Sequence, residues 1–150
     1  MDSLKQLQRQ YVQFVKSLYR ERIVDRQFVE MQKMQKDDPD FLSGIANNFF
    51  DMWESVSHKI DIAIEQKIVD PELYDAVHRV KGAGMSLGVK KVITLCLDFQ
   101  EHYNTRNHEG CLQCLPQIKD DYQSVKDKLQ MVFGLQQQII GAGGSIPILG

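Results

Sequence analysis

The chain is expected to be all-α, an up-and-down four-helix bundle with one or two additional short N-terminal helices. Three observations point there. Apolar residues recur every three or four positions in each long segment, the spacing that gathers them on one face of a helix. No stretch alternates convincingly with period two, and no Asn-Gly or Asp-Gly pair marks a hairpin. Two Asp-Pro pairs, Asp38-Pro39 and Asp70-Pro71, read as helix starts, because Asp can satisfy orphan N–H groups and Pro is tolerated in the first turn.

The first helix carries Leu4, Leu7, Tyr11, Phe14, Val15 and Leu18 on one face. A short second helix covers Asp25–Gln35 with Phe28, Met31 and Met34 inward. After Asp38-Pro39, the residues Phe41, Ile45, Phe49, Met52, Val56 and Ile60 step by three or four along a long third helix. The helix after Asp70-Pro71 carries Leu73, Val77, Val80 and Leu87, and Gly88 marks its end. The next runs from about Val89 to Tyr103, with Val92, Leu95, Cys96 and Phe99 inward. The last shows Leu115, Ile118, Tyr122, Val125, Leu129 and Val132, a spacing suited to bundle packing. Pro116 sits inside that pattern, where it removes a hydrogen bond, so the helix either starts there or is kinked there. Residues 1–140 are expected to form the helical-bundle domain. Residues 141–150, GAGGSIPILG, read as a flexible tail.

Length and composition narrow the class. The 150 residues suit one domain, and 43% hydrophobic with 25% charged residues is ordinary for a globular chain. The formal charge of −2 disfavours a protein that grips nucleic-acid phosphates. No run of about 18 apolar residues is present, so no membrane span is expected. The N-terminus lacks the apolar core of a signal peptide. An odd cysteine count of three fits free thiols in a reducing compartment.

Charge is uneven along the chain. Residues 1–36 carry +4, residues 37–78 carry −8, and residues 92–150 carry −2. Between them residues 79–91 hold Arg79, Lys81, Lys90 and Lys91 with no acid. That basic window follows directly on a histidine.

Four histidines are available: His58, His78, His102 and His108. A di-metal bundle needs two inward Glu-x-x-His pairs, and the chain has none. Cys111-x-x-Cys114 with His102 and His108 has zinc-like chemistry, but a single such pair without a second reads better as buried free thiols. His78 stands in a different setting. On a helix Lys81 and Gly82 flank it on one side and Tyr74 and Asp75 on the other, with Met85 one turn further. Gly82 and Gly84 each cost about 1 kcal/mol in a helix relative to Ala. Either they clear bulk so that another protein can reach the imidazole, or the helix ends near Lys81.

His78-Arg-Val-Lys81-Gly82 followed by Gly88 resembles the His-x-x-Lys-Gly phosphorylation motif of histidine-containing phosphotransfer (HPt) proteins. The blocks QLQRQYVQFVKSLYRERIVDRQF, DDPDFLSGIANNFF, RNHEGCLQCL and AGGSIP are similar to the plant HPt proteins of cytokinin phosphorelays. The plant pseudo-HPt variants lack the phosphorylatable histidine, whereas His78 is present. The usual plant pattern reads His-Gln-Leu-Lys-Gly followed by serines. Here Arg79 replaces the Gln, and Ala83, Gly84 and Met85 replace serines ahead of Ser86.

The resemblance implies that His78 accepts a phosphoryl group from a receiver-domain aspartate of a hybrid sensor kinase and hands it to the receivers of response regulators. It implies Lys81 as the charge that stabilises the phosphoryl group, Gly82 as the opening for the receiver, and Arg79, Met85, Ser86, Lys90 and Lys91 as partner-binding residues. Metal and acidic pocket belong to the receiver, so the chain needs no cofactor and has no independent turnover. It is expected to act as a monomer, in cytoplasm and nucleus, without binding nucleic acid or membrane. An unperturbed histidine titrates near 6.5, so neutral imidazole is a competent nucleophile at about pH 7. Two other readings use the same residues: a helical adaptor that binds receiver domains without chemistry, and a zinc-stabilised bundle.

Overall fold

The computed structural model describes residues 2–149, and all regular structure among them is helical. Helix α1 spans Asp2–Arg20, α2 Arg26–Lys33, α3 Phe41–Gln66, α4 Pro71–Leu87, α5 Lys90–Asn104 and α6 His108–Gly141. A single 3-10 turn, Met34–Lys36, follows α2. Among the described residues no helix is long and apolar enough to cross a membrane.

Helices α3, α4, α5 and α6 pack consecutively, and α6 closes against α3 to complete an up-and-down bundle. The core of this bundle is built from Phe49, Val56 and Ile60 of α3, Val77 and Val80 of α4, Val92 and Phe99 of α5, and Leu115, Ile118 and Val125 of α6. At 34 residues α6 is about 51 Å long, longer than the bundle needs. Its second half pairs with α1, where Tyr11, Val15 and Leu18 meet a core shared with Leu129, Val132 and Ile139. Helix α1, with 19 residues, is as long as the bundle helices α4 and α5.

The helix starts divide by how their caps are built. Asp25 caps α2, its Oδ1 accepting from Gln27 N at 2.8 Å. Asp70 caps α4, accepting from Leu73 N at 2.8 Å, and Pro71 takes the first helical position. Asp38-Pro39 behaves differently. Helix α3 begins only at Phe41, and Asp38 Oδ1 instead accepts from Asp40 N at 3.2 Å. Helix α6 begins well before Pro116, at an Asn107 cap that accepts from Gly110 N at 3.0 Å. The alternative that α6 starts at Pro116 is thereby excluded. The proline faces solvent inside a 34-residue helix, which tolerates one missing bond to the carbonyl a turn earlier.

The buried face of α3 is turned slightly from the stripe of large residues. Leu42, Ala46 and Trp53 are buried, whereas Phe41, Ile45 and Met52 are only half-buried. Trp53 stacks on Tyr122 of α6, with ring centroids 4.2 Å apart and planes 12° apart. Small Ala46 permits close helix approach. In the 3-10 turn Gln35 is buried and Met34 is half exposed, the reverse of an apolar-inward pattern.

Polar partners explain that reversal. Gln136 Nε2 donates to Tyr11 Oη at 3.1 Å and to Gln35 Oε1 at 3.0 Å. Gln32 Nε2 donates to the Pro147 carbonyl at 2.6 Å, and Gln32 Oε1 accepts from Leu149 N at 3.1 Å. Buried amides require such partners. The glycine-rich segment read as flexible is thus folded back along α1 and α2, with Ile146 and Leu149 packed against the core.

Gly88 ends α4 with φ +84, a left-handed conformation that glycine adopts freely. A Cβ there would collide with Phe28 N and, at 2.5 Å, with Asp25 Oδ1. Gly88→Ala is expected to cost at least about 2 kcal/mol in urea unfolding. Asn tolerates positive φ better than Ala. An equal loss in Gly88→Asn would show that the close approach, rather than φ, carries the cost.

Candidate functional site

Helix α4 presents the histidine. It is launched by Asp70, whose second carboxylate oxygen, Oδ2, accepts from Lys59 Nζ of α3 at 2.9 Å. Lys59 also lies 3.6 Å from Glu72. The lysine hydrogen bond, followed by the Leu73 N–H, holds the Asp70 carboxyl below the usual range, and Asp70 in turn raises Lys59.

Two turns on, His78 is exposed on the outer face of α4. Its ring lies nearly parallel to Tyr74, 8° between planes and 6.3 Å between centroids, and Tyr74 leans on Tyr103 of α5 at 4.7 Å. Nδ1 of His78 is 3.0 Å from Gln100 Nε2. Gln100 is buried in α5, and its Oε1 accepts from Lys81 Nζ at 2.8 Å. A lysine has only donors, so it selects the amide oxygen and turns the NH₂ toward the ring. Nδ1 then accepts, and the neutral imidazole carries its hydrogen on Nε2. Nε2 has no protein partner among the described residues.

Gln100 is the functional residue that periodicity does not single out. Its signal was a polar side chain adjoining the apolar stripe of Val92, Cys96 and Phe99. Cys96, one turn before it, is fully buried, and burial pushes its thiol up to about 12 against the opposing charge of Lys81.

The two glycines of the motif do different things. Helix α4 continues to Leu87, so it does not end near Lys81. At Gly82 a Cβ would meet nothing within 4 Å, leaving bare helix surface beside His78. Gly84 is buried, and a Cβ there would sit 3.2 Å from Val89 Cγ2 and 3.4 Å from Ile93 Cγ1. It serves the approach of α4 to the start of α5, not access from outside.

The remaining motif residues separate in space. Arg79 is exposed on the far flank of the helix. Met85 is 54% exposed, and Ser86 Oγ donates to the Gly82 carbonyl at 3.3 Å. Lys90 and Lys91 open α5, where successive side chains diverge by about 100°. Lys91 therefore turns to α6 and pairs with Asp121 at 3.6 Å, whereas Lys90 faces the loop after α1.

The other histidines and the thiol pair lie apart from His78. His58 is exposed. His102 Nδ1 lies 3.1 Å from Asn107 Nδ2, and His108 Nε2 lies 3.1 Å from the Lys67 carbonyl. Cys111 and Cys114 are buried free thiols, and burial pushes both upward. Cys111 Sγ points to the Phe99 carbonyl at 3.8 Å. Among the described residues no three His, Cys, Asp or Glu side chains converge as a metal site.

An exposed histidine on one helix of an antiparallel bundle, its inner nitrogen held by a buried amide, defines a phosphotransfer-type helical bundle. Comparison with known proteins agrees. The Hpt domain model matches residues 44–128. Histidine-containing phosphotransfer protein 2 of Arabidopsis thaliana is 41% identical, with 98% of this chain and 97% of the relative covered. Histidine-containing phosphotransfer protein 5 of the same plant is 39% identical, over 95% and 92%. A crystal structure of a histidine-containing phosphotransfer protein from Medicago truncatula superposes with a TM-score of 0.83 at 33% identity, over 93% of this chain and 96% of that one. The chain belongs to the HPt family. It is a histidine phosphotransfer carrier of plant two-component signalling.

Asp70 anchors the helix that carries His78, and its depressed carboxyl gives a pH signature. A lowered folded-state value means stability that is present above the ordinary Asp range and is lost as pH falls through the folded value. Asp70→Ala should cost about 1 kcal/mol at neutral pH. Urea unfolding should show the gap to wild type narrowing as pH drops below about 4.

Proposed function

We propose that His78 is the phosphoacceptor, taking a phosphoryl group from the aspartyl phosphate of a hybrid sensor kinase receiver and delivering it to an aspartate of a response-regulator receiver. The observation that carries this reading is the Gln100 amide on Nδ1, which leaves Nε2 as the one ring nitrogen open to a partner. Attack uses the Nε2 lone pair, so the ring reacts in the tautomer that carries its proton on Nδ1, reached by exchange of the Nε2 proton with solvent. As the Nε2–P bond forms, the P–O bond to aspartate breaks and its electron pair stays on the carboxylate. The Nδ1 proton is then released to solvent, and Nδ1 accepts again from the Gln100 amide. Transfer of this kind depends on positioning and charge stabilisation. Lys81, held beside the ring through Gln100, supplies the nearby positive charge.

Gly82 supports the same reading, because the bare surface next to His78 lets a receiver approach. Met85 and Ser86 extend that surface toward the end of α4, with Arg79 on its far flank. The protein acts as a monomeric carrier with no turnover of its own, in the cytokinin phosphorelay. It works in the cytoplasm and nucleus, where its three free cysteines suit a reducing environment.

Incubation with a phosphorylated receiver domain should yield acid-labile, base-stable phosphate on the wild type and none on His78→Gln, with the circular dichroism of the two unchanged. Label on His58, His102 or His108 would overturn the assignment. Binding without label would support the adaptor reading instead. Gly82→Gln should slow transfer while stability stays level or rises by roughly 0.5 kcal/mol, since Gln is the better helix former. Unimpaired transfer in that variant would sink the access argument.

A further inference from the structure

The fold joins two basic stretches that are far apart in sequence. Asp25 N donates to the Gly88 carbonyl at 2.9 Å and Lys91 N to the Ile23 carbonyl at 3.3 Å, so the loop after α1 is seated on the turn after α4. A cavity of about 490 Å³ opens at this corner, lined by Tyr19, Arg20, Arg22, Asp25, Arg26 and Lys90. The four cations are exposed. Lys33, Lys59, Lys91 and Lys119 form ion pairs, but among the described residues Arg20, Arg22, Arg26 and Lys90 do not. Asp25, the one acid lining the cavity, is engaged as the α2 cap. Glu21 is exposed and does not line it. Clustered, unneutralised like charges favour an anionic partner.

The corner lies on the His78 side of the molecule. Gln27 Nε2 donates to the Ser86 carbonyl at 3.3 Å, and Ser86 follows His78 and Gly82 at four-residue steps along the outer face of α4. Ser86 is about 12 Å from His78 along the helix. A standard interface covers about 800 Å² per partner, a disc of roughly 16 Å radius. A partner centred on His78 therefore passes over Met85 and reaches the corner with its edge.

We propose that Arg20, Arg22, Arg26 and Lys90 form a basic rim that receives an acidic surface patch of the receiver domain docked at His78. This rests on the phosphotransfer reading above. The rim is more than a Debye length of about 8–10 Å from the ring at physiological salt, so it acts on encounter and affinity and not on the transfer step. Lys91, turned to Asp121, is outside it.

The test compares wild type, Arg22→Glu/Arg26→Glu and Lys5→Glu/Arg9→Glu, the last having the same change in net charge on an exposed part of α1. The partner is the receiver domain of a plant hybrid histidine kinase, phosphorylated with acetyl phosphate. Affinity for the rim variant should fall about tenfold in 50 mM salt, and by less than about twofold in 0.5 M salt, where screening is within about 4 Å. The transfer rate at saturating receiver should stay within about twofold of wild type, since steering charges act before the complex has formed. Arg22→Gln/Arg26→Gln should show a smaller loss of the same salt dependence. Equal weakening in the Lys5→Glu/Arg9→Glu control would show that net charge alone matters and overturn the rim. Unchanged affinity in the rim variant, or a loss that persists at high salt, would overturn it as well. Wild-type protein that takes label while the rim variant binds normally leaves the phosphotransfer reading standing and removes only the rim. Wild-type protein that takes no label removes both.

Discussion

Helices α4 and α5 are joined by only Gly88 and Val89, and the arrangement of the site depends on that short turn. Gly88 is left-handed and packed against Phe28 and Asp25, with its carbonyl bonded to Asp25 N. The turn leaves α5 little freedom to slide or rotate against α4. Lys81 and Gln100, nineteen residues apart, meet at 2.8 Å because of it. Gly84 contributes from the other side, since the space left by its missing Cβ is what Val89 and Ile93 occupy. A slip of one residue in α5 would rotate Gln100 by about 100° and uncouple it from the imidazole.

Buried amides do much of the specific work in this fold. Gln100 holds Nδ1 of the His78 ring, while Gln32, Gln35 and Gln136 join Tyr11 in a second cluster that ties α1, α2, α6 and the segment around Pro147 together. An apolar contact is indifferent to small shifts, whereas a buried amide without its partner costs about 1–3 kcal/mol. Each cluster therefore selects one register of its helices. Tyr122 is the contrasting case. Its ring is stacked on Trp53, yet among the described residues its buried hydroxyl has no partner, and burial pushes its ionisation upward.

The electrostatic pattern changes character on folding. In the linear chain the basic window after His78 looks continuous. In the folded molecule Lys81 is drawn inward to Gln100, Lys91 is spent on Asp121, and Lys90 joins arginines from the end of α1 and the start of α2. The surface beside His78 thus has a bare patch at Gly82, an apolar contact at Met85, and positive charge gathered at the far end of the helix.

The number of helices, the apolar faces of α4, α5 and α6, the Asp70-Pro71 start, the Gly88 stop and the His78–Lys81–Gly82 face were all legible in the sequence. Each depends on residues within one or two turns of one another, and local spacing is enough to express such relations. The early start of α6, the turned core face of α3 and the docking of the glycine-rich segment were not. A proline on an exposed face, an alanine that admits a neighbour and glycines held by distant amides acquire their meaning only from what packs against them. The same division runs through the site. His78, Lys81 and Gly82 can be picked out from a single helix. Gln100, the tautomer it imposes and the meeting of Lys90 with Arg22 and Arg26 were decided by tertiary structure alone, because a hydrogen bond or a shared cavity between separate helices exists only once their register is set.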